Sequence, residues 1–256
     1  MAQTLLEAKN VSKNFGGVLA VNDVSVKIEH GSIYAVIGPN GAGKTTFFNA
    51  LSGFYYPDGG QVLYQGRDIT TMPNWQRVQL GMSRTFQTPS IFPELTVYEN
   101  LLIGVQSQQK IAFKLRLPSA SRKKEIDAKI DELLGFVNLA HLKDRPVAEL
   151  SHGSQRLCEI AMSLSVDPTI VLLDEPMAGL AEAETERIMR VIRDLHDRLG
   201  LTVLFVEHNM RVVLSLADHI TVLDRGAMLA QGTPSEISNS QAVREAYLGQ
   251  EVLNRV

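Results

Sequence analysis

The chain has 256 residues, 45% hydrophobic and 21% charged, which is enough apolar content to bury a sizeable core and too much for a disordered chain. Its 25 lysines and arginines against 28 aspartates and glutamates leave a net charge of -3, so the composition carries no broad basic surface for nucleic acid or acidic lipid. A single cysteine, Cys158, excludes an internal disulfide and, with a polar start and no signal peptide, points to a reducing cytosol; core packing and a reactive thiol are its two open uses. No apolar run approaches the roughly 18 residues of a membrane helix, so any membrane crossing is expected of other subunits.

In chain order, alternation of Val24, Val26 and Ile28 with Ser25 and Lys27 predicts a half-buried strand, and the run from Ser32 to Ile37 a fully buried one. The second leads into Gly38-Pro39-Asn40-Gly41-Ala42-Gly43-Lys44-Thr45-Thr46, and Thr45 to Leu51 reads as the following helix. A glycine-rich loop between strand and helix turns tightly enough to aim successive N–H groups at one point, which suits a nucleotide's phosphates. Lys44 adds a cation for the β- and γ-phosphates, and the Thr45 hydroxyl a ligand for Mg²⁺. Pro57-Asp58-Gly59-Gly60 marks a turn before a strand at Gln61 to Tyr64, so antiparallel strands flank the loop unit.

From about Pro89 to Leu150 the character changes to that of an inserted helical subdomain. Thr96 is placed to cap a helix through Glu99, and Arg122 to Val137 is charged with a helical apolar period. The basic stretch Gln108 to Ser121 has no clear period and reads as a surface excursion. Leu150-Ser151-His152-Gly153-Ser154-Gln155 then precedes Leu157, Ile160, Ala161 and Leu164 at helical spacing, which puts Ser151 and Gly153 at a helix N-terminus. Its unpaired N–H groups and positive dipole end suit a phosphate; a plain N-cap role for Ser151 is the alternative. Beyond Pro168, strands at Thr169 to Leu173, Thr202 to Val206 and His219 to Leu223 alternate with a helix at Glu182 to Leu199, the pattern of a parallel α/β core. The first ends in Asp174-Glu175, two carboxylates placed to orient Mg²⁺ (Asp174) and to polarise an attacking water (Glu175), or else a solvated strand end.

With these stretches in this order the chain resembles an ATP-binding cassette (ABC) subunit over essentially its whole length. The resemblance matches Phe15 to the aromatic that stacks on adenine, Gly38 to Thr46 to the Walker A loop and Gln87 in Arg84-Thr85-Phe86-Gln87 to the Q-loop glutamine, a ligand of Mg²⁺ and a catalytic residue. It matches Ile170 to Glu175 to Walker B with its catalytic glutamate, His208 to the switch histidine, and Leu150 to Gln155 to the signature motif that faces the nucleotide of the opposite subunit. Taken singly, Phe15 could be a core aromatic, Gln87 a polar strand end and His208 a satisfied buried histidine. The implied fold is α/β: a P-loop (RecA-like) core with an antiparallel β subdomain, formed by residues 1–88 and 158–256, and an inserted α-helical subdomain over 89–157 within one ABC ATPase domain of 1–256. The implied activity is hydrolysis of ATP with Mg²⁺ by two cassettes in a head-to-tail dimer.

The segment Arg84 to Asn100, with Met177 to Leu180, Val206 to Met210 and Val243 to Gly249, is similar to the importer group for branched-chain and other hydrophobic amino acids, amides and urea. That likeness implies two membrane permease subunits, a sibling or identical second cassette, a periplasmic solute-binding protein, no nucleic acid, and a peripheral place on the cytoplasmic face of the inner membrane. A soluble ABC ATPase acting on DNA or ribosomes is the competing reading. Two motifs depart from the usual pattern. His152 and Ser154 stand where most cassettes have glycine and glutamine, and Ala181 stands at the D-loop aspartate, where a methyl group accepts no hydrogen bond.

Overall fold

The computed structural model describes residues 3–85, 91–108 and 120–253, with ten strands and nine α-helices among them. β1 (Thr4–Phe15) and β2 (Val18–Glu29) form an antiparallel hairpin, and β4 (Gly59–Tyr64) and β5 (Arg67–Asp68) extend it into a sheet of order β2-β1-β4-β5. The expected alternation holds in β2, where Val24, Val26 and Ile28 are buried and Lys27 is exposed.

The second sheet has the order β10-β9-β3-β8-β7-β6. β3 (Ile33–Ile37), β6 (Met82–Arg84), β7 (Ile170–Asp174), β8 (Thr202–Val206) and β9 (His219–Asp224) run parallel, and β10 (Ala227–Gly232) closes the edge antiparallel. β3, β7 and β8 are buried along their whole length, as expected of strands covered on both faces. Alternate residues feed two different cores. Ile33, Ala35, Val171, Leu173, Val203 and Phe205 pack with the helices of the inserted segment, whereas Tyr34, Val36, Ile170, Leu172, Leu204 and Val206 pack with α1 (Lys44–Ser52) and the antiparallel sheet.

The inserted segment is helical as predicted. α3 (Val97–Gln108) opens on a reciprocal cap: the Thr96 N–H donates to Glu99 Oε2 at 2.8 Å and the Glu99 N–H to Thr96 Oγ1 at 3.2 Å. α4 (Ala120–Phe136) buries Ile126, Ile130, Leu133 and Leu134 at helical spacing and takes in the end of the predicted excursion; residues 109–119 lie outside the described residues. α5 (His152–Leu164) starts at the predicted turn and runs unbroken past residue 157 into the core, so the expected boundary between subdomains falls inside one helix. Cys158 is fully buried there and burial pushes its thiol up to about 12, which makes it a packing residue. α6 (Glu182–Leu199), α7 (Met210–Leu216), α8 (Pro234–Asn239) and α9 (Gln241–Leu253) complete the chain, and no helix among the described residues is long and apolar enough to cross a membrane.

A buried guanidinium holds the far end of α1. Arg77, on α2 (Asn74–Gln79), is 1% exposed and donates to the carbonyls of Ala50 and Leu51 in the last turn of α1 and to those of Ile69, Thr70 and Met72. It adds a charged donor to acceptors at the helix end and sets positive charge at the negative end of the dipole. Burial lowers its pKa to about 10, so it remains charged at neutral pH. Arg77→Met removes the charged donor these carbonyls share and is expected to cost about 1 to 3 kcal/mol in chemical denaturation, with Arg77→Lys restoring less than half because one ammonium reaches fewer acceptors.

Candidate active site

The parallel strands deliver their following loops to one edge, which is where α/β sheets place ligands. At the end of β3 the chain turns through Gly38, whose Cα lies so close to β9 that a Cβ would stand 2.1 Å from the Leu223 carbonyl oxygen; at Gly43 a Cβ would stand 2.2 Å from that of Ala20. Gly43, at φ 93°, starts α1 with no side-chain cap, so the first-turn amides face the loop's concavity without intrahelical partners. Lys44 is buried, and its Nζ donates to the carbonyls of Gly38 at 2.8 Å and Pro39 at 3.0 Å. Burial lowers the pKa of this ammonium, and the Glu175 carboxylate partly offsets the effect. Asn40, Gly41, Ala42, Gly43, Lys44, Thr45 and Thr46 line a cleft of roughly 600 Å³ with Val18 to Ala20, Glu175 and Arg225.

Asp174 ends β7 buried, and its Oδ2 accepts from Arg84 Nη2 at 2.9 Å. The Arg84 guanidinium also lies over the rings of Phe48 and Phe54, 4.7 and 4.8 Å from their centroids, and bonds Ser52 Oγ. Burial raises the Asp174 pKa and Arg84 pulls it back. Glu175 follows with φ 45°, a left-handed conformation at a non-glycine residue. Its N–H donates to Val206 O at 3.0 Å and its carbonyl accepts from Arg156 Nη2 at 3.3 Å.

His208 follows β8 with its side chain 59% exposed, so the buried-histidine alternative fails. The preceding Glu207 is 1% exposed, accepts the N–H groups of Met177 at 2.9 Å and His208 at 3.2 Å, and has its pKa raised by burial. Ser151 caps α5, its Oγ accepting from the Ser154 N–H, and the Gly153 N–H donates to Glu184 Oε1 at 3.2 Å. These two residues stand at the start of α5, apart from the residues lining the cleft. Phe15, at the end of β1, is 43% exposed and edge-on to Tyr55 at 5.4 Å, which rules out the core-aromatic alternative. Gln87 lies outside the described residues.

Crowded glycine positions, uncapped helix-start amides and Lys44 could receive phosphate oxygens, and the Thr45 hydroxyl could ligate a hard cation; Asp174, a second oxygen donor of that type, is not among the residues lining the cleft and is paired with Arg84. Sequence reasoning missed the charges that hold this edge in place, Arg84, Arg156, Glu159 and Glu207. Their one visible signal is charge inside otherwise apolar stretches.

Arg84→Met leaves a buried carboxylate without its counter-ion and is expected to destabilise the chain by about 3 to 5 kcal/mol near neutral pH. Without the guanidinium the folded pKa of Asp174 rises further. A carboxyl with a raised folded pKa stabilises while protonated and loses that contribution as pH rises through the folded value. The deficit relative to wild type, measured by denaturation across pH, should therefore shrink as pH falls through the variant's raised folded value.

Comparison with known proteins agrees with this geometry. Residues 21–178 match the family described as ABC transporter, and residues 227–252 the family described as branched-chain amino acid ATP-binding cassette transporter. The chain is 41% identical, over 98% of its length and 100% of the relative's, to the high-affinity branched-chain amino acid transport ATP-binding protein BraF of Pseudomonas aeruginosa. It is 39% identical to the probable branched-chain amino acid transport ATP-binding protein LivG of Archaeoglobus fulgidus, across 96% of this chain and 95% of that one. Among solved structures it is similar to the ADP conformation of MJ1267, an ATP-binding cassette of an ABC transporter, with TM-score 0.85, 33% identity, and coverage of 96% of this chain and 99% of that one. The chain therefore belongs to the ABC transporter family, as an ATP-binding subunit whose hydrolysis of ATP is coupled to transport.

Proposed function

We propose that this chain energises the import of branched-chain amino acids. The observation that carries the reading is the match of residues 227–252, which span β10, α8 and most of α9, to a family described by that substrate. The names of full-length relatives point the same way. Other hydrophobic amino acids, amides and urea remain within the wider substrate group but have no such support, and nothing favours a soluble ATPase acting on DNA or ribosomes.

In this reading Lys44 and the loop amides of Gly38 to Thr46 hold the phosphates, and Phe15 offers its exposed ring to the adenine. Thr45, Asp174 and Gln87 would hold Mg²⁺, which would supply positive charge to offset that of the phosphates. Glu175 accepts the proton of the attacking water, and His208, exposed at the neighbouring strand end, donates to the γ-phosphate. Ser151 and Gly153 face the nucleotide of a second cassette, a sibling or another copy of this chain, in a head-to-tail pair. Residues 89–157 form the part that moves when two nucleotides close the pair. The cassettes dock on two membrane permease subunits at the cytoplasmic face of the inner membrane, and a periplasmic solute-binding protein delivers the amino acid.

Glu175→Gln is expected to keep ATP affinity within a few-fold while hydrolysis drops by about 10² to 10⁴, whereas Lys44→Ala loses ATP binding itself. Tagged Glu175→Gln held in Mg-ATP should retain, from solubilised membranes, two polytopic proteins and a second cassette. Recovery of ribosomes or DNA-repair proteins without membrane subunits would overturn the transport role. Disruption of the chain should abolish uptake of radiolabelled leucine; unchanged leucine uptake with lost amide or urea uptake would reassign the substrate.

A further inference from the structure

Glu175 is held by its backbone from two sides, and one of the two holders is a charged side chain that the mechanism above does not use. Arg156 and Glu159 lie one turn apart on α5 with side chains 8% and 4% exposed, and their Nη1 and Oε2 atoms are 2.6 Å apart. A buried ion pair of this kind contributes little net stability, because desolving both charges offsets their attraction. Its structural product here is a guanidinium in a fixed orientation, with Nη2 directed at the carbonyl of Glu175. Glu175 has φ 45°, a conformation that is unfavourable for a side-chain-bearing residue and persists only where its surroundings impose it. The N–H of Glu175 is fixed to β8 through Val206 and its carbonyl to α5 through Arg156.

A second contact joins the same two parts of the chain. The Gly153 N–H, in the first turn of α5, donates to Glu184 at the beginning of α6, and a Cβ at position 153 would stand 2.7 Å from that carboxylate oxygen. The segment from Glu175 to Glu184 is thus tied at both ends to the opening of α5, while Ala181 within it brings only a methyl group.

We propose that Arg156, oriented by Glu159, is the positioning residue for Glu175, holding the strained peptide that aims its carboxylate. The proposal rests on the reading of Glu175 as the group that activates water. Arg156 touches no reacting atom, so its loss acts on turnover and leaves nucleotide binding alone.

The test uses the purified full-length chain and measures nucleotide affinity with a fluorescent ATP analogue, melting temperature, and kcat and KM for Mg-ATP. Arg156→Met alone breaks the buried ion pair from one side and could unfold α5, so the informative variant is the double Arg156→Met/Glu159→Met, which removes both charges at similar volume. It is expected to fold, to bind nucleotide within twofold of wild type, and to lose at least tenfold in kcat with KM unchanged. Arg156→Lys should recover part of that loss, since an ammonium still donates to the carbonyl. A double variant turning over at the wild-type rate, or losing affinity and turnover together, overturns the proposal, as does Arg156→Lys no better than the double variant. Glu175→Gln measured alongside separates the two levels. Wild-type hydrolysis there removes the assignment of the base and the proposal with it, whereas an inactive Glu175→Gln beside a fully active double variant removes the positioning role alone.

Discussion

Backbone crowding around the glycine-rich loop is the constraint on which the site depends. The loop passes so close to β9 at Gly38 and to β2 at Gly43 that even one methyl group would collide with a neighbouring carbonyl. This contact joins the parallel sheet, the antiparallel sheet and the start of α1 at one place, and the amides of α1 reach a common point because their surroundings cannot shift independently. Lys44 draws on the same crowding. Its ammonium lies between two loop carbonyls, so the cation is directed by the backbone as well as by side-chain preference.

Around that loop the remaining placement is done by buried charge. Arg77 closes the far end of α1, Arg84 neutralises Asp174, Arg156 with Glu159 holds the peptide of Glu175, and Glu207 anchors the amides of Met177 and His208. In a medium of low polarisability a charge missing its partners is costly, so each of these groups tolerates only a narrow range of positions for the backbone it binds. The pattern is economical. Apolar packing brings the strands together, and a few charges fix the ends of those strands.

Much of this was legible in the residues, and for identifiable reasons. Periodicity marks β8 and α6 with their observed bounds, because Thr202 to Val206 is a short β-branched and apolar run between Gly200 and Glu207 and α6 is strongly amphipathic. The loop from Gly38 to Thr46 was legible because its glycines have no other common use in a strand-to-helix turn, and Thr96 with Glu99 announced a cap that the structure contains. Partners of buried charges were not legible. Arg84 and Asp174 are ninety positions apart, and only the pairing of β6 with β7 makes them neighbours. The exposure of Phe15 and His208 was equally hidden, since a lone aromatic or histidine in sequence carries no sign of which way it faces. The split of the chain at residue 157 followed the end of a motif, whereas the physical unit, α5, continues through it because its apolar stripe does.

The alternation of β3, β7 and β8 between two cores has a mechanical consequence. These strands are a shared wall: every second residue belongs to the packing on one side and the intervening residues to the packing on the other. Neither half can loosen without withdrawing support from strands the other half needs, which couples the packing of the antiparallel sheet to that of the inserted helices although they are far apart in sequence. The same wall carries Gly38, Asp174, Glu175 and His208 at its upper rim. Close packing transmits strain, so the rim that carries the cleft is tied to the packing of both cores at once.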